Sequence, residues 1–145
     1  MAVAKWTSLA LPVAAPYDFR RSVEYLDRFA PASDGTAGHR EAVVTGGFAP
    51  EPFVAHLHAD ECGLVRARVE WVEEPGDGNA VAERLDSFLS FSDDPSPLYD
   101  AAASDPAFAR AVADLRGYHH VRFPTPFEAA CWAAISRRTP TALRW

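Results

Sequence analysis

Two histidines are spaced so that they could bind a metal ion. His56 and His58 are two residues apart in a segment whose alternation predicts a β-strand, so both side chains lie on one face. Neutral imidazole is a common metal ligand. Nearby, however, only Asp60 falls at a matching ligand spacing. The pattern is more typical of two exposed strand histidines, and we expect no metal site.

The sequence shows no other cluster of reactive groups. It has no nucleophile motif, no phosphate-binding glycine loop and no Cys-x-x-Cys pair, and its acidic residues lie in turns such as Asp93-Asp94 and on helix faces. Cys62 and Cys131 are far apart, which argues against a disulfide framework. No apolar run approaches the roughly 20 residues that span a bilayer, and the N-terminus lacks a signal-peptide layout. We expect a cytoplasmic protein without a membrane partner.

Composition indicates a globular chain with an uneven charge. Its 145 residues suit one domain or slightly more, and 48% are hydrophobic, which is enough for a core. The net charge of −6 argues against a free-standing nucleic-acid binder, because such affinity comes mainly from neutralising phosphates. From Gly117 onward, however, four arginines outnumber one glutamate. The last part of the chain is therefore basic.

The predicted elements are those of an α+β fold. A helix should begin after Pro16-Tyr17-Asp18, and a second should carry Val81 and Leu85 on its apolar stripe. Both helices should cover one face of an antiparallel sheet of about four or five strands. Alternating patterns place the strands at residues 5–13, 39–48, 53–59 and 64–72.

After Phe91 the pattern changes to short capped helices. They begin at Ser96-Pro97 and Asp105-Pro106, and Gly117 is expected at the position just after the second. We divide the chain into an antiparallel-sheet α+β domain, residues 1–90, and the start of a helical domain, residues 91–145.

The helical part contains the most informative run, GYHHVRFPTPFEAACWAAISRR, from Gly117 to Arg138. Thr125 is the expected N-cap, Pro126 the first helical residue, and Glu128 completes a capping box. The helix from Phe127 to Ile135 is otherwise apolar all round, which is typical of the centre of a helical assembly. The sequence ends too soon to supply that assembly, and we expect this helix to lack its neighbours.

This run resembles the opening of the helix-hairpin-helix domain in bacterial DNA-3-methyladenine glycosylases, which begins with a glycine-led loop, an extended stretch and a Phe-Glu helix. Ala15-Pro16-Tyr17-Asp18-Phe19 similarly looks like the Pro-Tyr-Asp entry to the first helix of that family's N-terminal domain. The order and separation of the two motifs match the family. The resemblance implies base-excision repair: hydrolysis of the N-glycosidic bond of alkylated purines in duplex DNA, without metal or organic cofactor.

The resemblance also implies roles for three residues. Tyr118 matches the family's intercalating wedge, and His119 lies beside it; a flat side chain suits the gap that an extruded base leaves. The alternative, packing against a neighbouring helix, is equally compatible with the sequence. Arg137 stands where most of the family has Gln, and it would meet a DNA phosphate or simply end the helix in solvent.

The family's catalytic half has no counterpart in this sequence. The hairpin that holds a phosphate and the acidic residue that stabilises charge on the sugar both come after Ile135 in family order, and no residue matches either. We therefore expect the chain alone to be inactive, with duplex DNA as a partner only in a complete enzyme. The alternative is a non-catalytic binding module that meets a protein partner, or itself, through the Phe127–Ile135 helix.

Overall fold

The computed structural model describes residues 6–28, 41–46 and 52–137, and within them the chain has an α+β fold. The first part holds four strands and two helices, and the second part holds three helices. In chain order the elements are β1 (Trp6–Leu11), α1 (Phe19–Arg28), β2 (Glu41–Gly46), β3 (Phe53–Ala59), β4 (Val65–Trp71), α2 (Gly78–Leu89), α3 (Ser96–Ala102), α4 (Pro106–Asp114) and α5 (Pro126–Ser136).

The strands form one antiparallel sheet in the order β1-β4-β3-β2. Strands β2, β3 and β4 form a meander, and β1 joins it at the free edge of β4, which confirms the predicted antiparallel sheet. The described residues therefore form a sheet of four strands, where the sequence predicted about four or five. The outer residues of the predicted segment 39–48 lie outside the described residues.

The core lies between one face of the sheet and helices α1 and α2. Alternate residues of β3 and β4, such as Leu57 and Val69, are fully buried, as the period of two requires. Val23 of α1 and Leu85 of α2 are buried in the same cluster. The prediction that both helices cover one sheet face is therefore confirmed, and the outward residues of β3 and β4 remain on the other face.

Short polar residues start the later helices. The Asp105 carboxylate accepts hydrogen bonds from the backbone N–H groups of Ala107 and Phe108, which caps α4. Thr125 Oγ1 accepts from the Glu128 N–H at 3.1 Å, which confirms the expected cap of α5. The second half of the capping box differs, because the Glu128 carboxylate accepts from the Thr125 hydroxyl rather than from the Thr125 backbone.

Gly117 does not directly follow α4, contrary to the sequence-based expectation. The helix ends at Asp114 with Leu115 as its C-cap, and Gly117 lies beyond, at a φ of 80°. A Cβ at this position would lie 3.1 Å from the Asp18 backbone nitrogen. The glycine therefore serves a close crossing of the chain over the start of α1, rather than the termination of a helix.

Helix α5 has little contact with the rest of the protein. None of its residues is buried, and Phe127 is 70% and Ile135 56% exposed. Trp132 contacts Phe123, with ring centroids 6.4 Å apart. An apolar helix left in this state exposes surface that would normally be covered.

Candidate nucleic-acid interface

The loop before α5 is fixed to the first part of the chain by backbone hydrogen bonds. We call residues 117–122 the anchor segment. The Asp18 N–H donates to the Gly117 carbonyl at 2.7 Å, and the Arg122 N–H donates to the Phe88 carbonyl at 2.8 Å. The Ser90 hydroxyl donates to the His120 carbonyl at 2.6 Å. The anchor segment is thus tied to both the start of α1 and the end of α2.

His119 is the buried centre of this connection, with 3% of its surface exposed. Its Nδ1 lies 2.7 Å from the Ser90 carbonyl oxygen and its Nε2 lies 3.1 Å from the Pro16 carbonyl oxygen. A carbonyl oxygen only accepts, so a hydrogen bond requires the proton to be on the nitrogen that faces it. The Tyr17 ring meets the imidazole edge-on, with centroids 4.8 Å apart.

His119 is packed inside the protein. This environment corresponds to the second of the two interpretations of the sequence, internal packing rather than a DNA contact. The ring is enclosed by residues from three separate stretches of chain, around Pro16, Ser90 and His119 itself. For this side chain to touch a DNA base, the anchor segment would have to open. The following residue, His120, is exposed.

Tyr118 occupies an intermediate position. Its ring lies 6.0 Å from that of Tyr25 at a tilt of 47°, and its backbone N–H donates to the Leu115 carbonyl. Burial raises the pKa of the Tyr118 hydroxyl above its usual value. The side chain is half-buried, so part of it is accessible to solvent.

The third predicted residue, Arg137, is not brought to the anchor segment. It is the exposed C-cap of α5, at the opposite end of that helix from Thr125. Arg137 comes 12 residues after Thr125, so a rise of about 1.5 Å per residue separates the two by about 18 Å along the helix axis. Arg122 belongs to the anchor segment, four residues after Tyr118, and is exposed, but it forms a 2.6 Å ion pair with Asp93.

Sequence reasoning missed the polar contacts that hold the site together. Ser90 is buried at a left-handed φ of 56°, and the Tyr17 hydroxyl donates to the buried Ser22 Oγ at 3.0 Å. Burial raises the pKa of Tyr17 to about 12. The sequence shows a serine, Ser90, at the end of one predicted helix and a tyrosine, Tyr17, before another. Neither pattern identifies the residue with which the side chain forms its hydrogen bond.

The two strand histidines lie where the sequence placed them. His56 and His58 are exposed on the outer face of β3. Within residues 6–28, 41–46 and 52–137, no group of three or more His, Cys, Asp or Glu side chains could hold a metal ion. Both Cys62 and Cys131 are free thiols. No helix among the described residues has the length and apolar character needed to cross a membrane.

Comparisons with protein-family models, curated proteins and solved structures give no match.

Proposed function

We propose that this chain forms the N-terminal part of a DNA-3-methyladenine glycosylase-like protein of base-excision repair. The observation that carries the proposal is α5, an apolar helix capped by Thr125, whose Phe127 is 70% exposed. In a helix-hairpin-helix glycosylase such a helix is surrounded by the rest of the helical domain. The exposed Leu98, Phe108 and Leu115 of the α3–α4 region would contribute to the same packing.

The anchor segment supports the proposal through its rigidity. A loop that enters DNA and replaces an extruded base must keep its shape while the duplex is distorted. Hydrogen bonds to Asp18, Phe88 and Ser90 restrain residues 117–122 in this way. In this proposal His119 positions the loop from beneath, and Tyr118 is the residue that reaches the DNA.

The chain by itself would not catalyse base release. Hydrolysis of the N-glycosidic bond develops positive charge on the sugar, and a nearby carboxylate must stabilise it. Glu128 is the one acid of α5, and its carboxylate accepts a hydrogen bond from Thr125 at the helix N-terminus. The proposed enzyme would draw its catalytic acid and its phosphate-binding hairpin from helical sequence that follows α5.

The test is a chimaera in which residues 1–137 are joined to the remaining helical domain of an active bacterial 3-methyladenine glycosylase. We expect the chimaera to release methylated purines from alkylated duplex DNA, and the chain alone to release none. The control chimaera carries Trp132→Asp, which should disrupt the junction and abolish release. A chimaera that is folded by circular dichroism but releases no base would contradict the proposal, as would release by the chain alone.

The exposed face of α5 also favours a second candidate, a non-catalytic module that meets a protein partner or a second copy through Phe127–Ile135. Sedimentation analysis of the chain separates the two. A stable dimer or a monodisperse monomer with a cooperative melt favours the module. Concentration-dependent aggregation with binding of a hydrophobic dye favours an incomplete enzyme, because nothing then covers the helix.

A further inference from the structure

Helices α3 and α4 are packed far less deeply than the helices of the first part. Each buries a single residue, Ala102 in α3 and Val112 in α4, whereas α1 and α2 each bury four. Neither Ala102 nor Val112 belongs to the main core cluster that the described residues form. Their larger apolar neighbours Leu98 and Phe108 are 49% and 41% exposed. We call residues 96–114 the α3–α4 hairpin.

The length of these two helices does not make them stable on their own. Helix α3 has seven residues and α4 has nine, and isolated helices shorter than about 12–15 residues are marginal in water. Asp105 caps the start of α4, but a cap contributes only about 1 kcal/mol. Most helical stability in proteins comes from tertiary packing, and the hairpin has little of it. The free energy needed to open the hairpin should therefore be far below that needed to open the sheet.

The chain on both sides of the hairpin is firmly attached to the first part. Before it, Phe91 is fully buried in the main core, and its carbonyl accepts a hydrogen bond from the Ala14 N–H at 2.7 Å. After it, the Gly117 carbonyl accepts from the Asp18 N–H at 2.7 Å. A hydrogen bond of 3.0 Å from the Gly117 N–H to the Tyr99 hydroxyl joins the hairpin to the anchor segment. The hairpin can therefore open between two fixed points without disturbing the main core.

We infer that the α3–α4 hairpin opens and closes as a unit, hinged at residues 92–95 and 115–116, while the main core and the anchor segment stay closed. Elements that move when a protein binds a ligand or partner come from the least stable parts of its structure. Such an element lies here directly before the anchor segment. The inference does not rest on the proposed function, because it follows from burial, helix length and hydrogen bonding.

Amide hydrogen exchange of the complete chain, followed by NMR in D2O, tests the inference. Relative to their intrinsic rates, amides of α3 and α4 should exchange at least about a hundredfold faster than those of β3 and β4. The Arg122 amide should exchange as slowly as those of the sheet although it follows the hairpin in sequence, because it donates to the Phe88 carbonyl at 2.8 Å.

A matched pair of variants separates the two units. Val112→Ala should speed exchange in α3 and α4 by about threefold or more and leave β3 and β4 unchanged, because Val112 is buried outside the main core. Val81→Ala is the same replacement inside the main core, where Val81 is 1% exposed. It should speed exchange in β3 and β4 and leave α3 and α4 unchanged. Circular dichroism verifies that both variants are folded.

Any of three results would overturn the inference. The first is equal protection of the hairpin and of β3 and β4, which would make them one cooperative unit. The second is fast exchange of the Arg122 amide, which would mean that the anchor segment opens together with the hairpin. The third is faster exchange of the same set of amides in Val112→Ala and in Val81→Ala, which would join the hairpin to the main core.

Discussion

The role of His119 as a buried connection can be tested by replacing it with leucine, which is similar in size but cannot form hydrogen bonds. The imidazole contacts the Ser90 carbonyl at 2.7 Å and the Pro16 carbonyl at 3.1 Å and is 3% exposed. In His119→Leu both carbonyl oxygens lose this partner. The edge-on contact with the Tyr17 ring is lost as well.

These losses set the expected magnitude. A neutral imidazole donates one hydrogen bond, so at least one carbonyl loses its donor, at a cost of about 1–3 kcal/mol. The aromatic contact adds about 0.5–1.5 kcal/mol. Together they should lower the free energy of unfolding by about 1.5–4.5 kcal/mol, a large part of the roughly 5–15 kcal/mol of a typical domain. For a chain of this size the corresponding fall in Tm is about 5–15 °C.

Urea denaturation and thermal unfolding followed by circular dichroism measure this effect. The matched control is His120→Leu, the same replacement one residue later at an exposed side chain, which should change stability by no more than about 0.5 kcal/mol. Equal stability of His119→Leu and the wild-type chain would refute the argument. So would an equal loss in both variants, because it would place the effect in the loop as a whole rather than in the buried ring.

Three further predictions concern residues around the same site. The pKa of Tyr17 is raised to about 12 in the folded chain, so this tyrosine ionises at lower pH in the unfolded chain. Its contribution to the free energy of unfolding is therefore fully present below about pH 10 and falls by about 2–3 kcal/mol as the pH rises towards 12. The urea midpoint should decline less with pH in Tyr17→Phe than in the wild-type chain, and parallel declines would contradict this. Gly117→Ala should lower the free energy of unfolding by at least about 2 kcal/mol, because Gly117 has a φ of 80° and a Cβ there would contact Asp18. The control Gly63→Ala, at a φ of 82° with open space around it, should lower it by about 1 kcal/mol. Equal falls in Tm would show that the contact with Asp18 is unimportant. Phe127→Asp should raise solubility and reduce hydrophobic-dye binding, because the ring is 70% exposed, and a loss of solubility would mean that α5 is already packed.

Local patterns were sufficient to predict most of the α+β part. Alternation predicted the strand at residues 64–72, and its buried residues are Val65, Ala67, Val69 and Trp71, because burial on a sheet follows a period of two. The caps at Asp105 and Thr125 were equally readable, since the capping side chain and the N–H groups it accepts from are within a few residues.

The candidate site was predictable only in part because its contacts join distant residues. His119 reaches Ser90 and Pro16, which are 29 and 103 residues away in sequence, and no local pattern records such a pairing. Gly117 was expected to end a helix because glycine commonly does so. The actual requirement, space for the backbone of Asp18, arises only in the folded chain. The proposed DNA contacts of Tyr118 and Arg137 remain predictions.

The hydrogen bonds of the anchor segment affect where this protein could be divided. A fragment ending at residue 90 would leave the Phe88 and Ser90 carbonyls and the Asp18 N–H without the partners that residues 117–122 provide. It would also lack Phe91 and Val121, both part of the main core. The change in sequence character after Phe91 is therefore not a modular boundary. Exchange of helical parts between related proteins, by recombination or by design, would preserve this core only if the join came after the anchor segment.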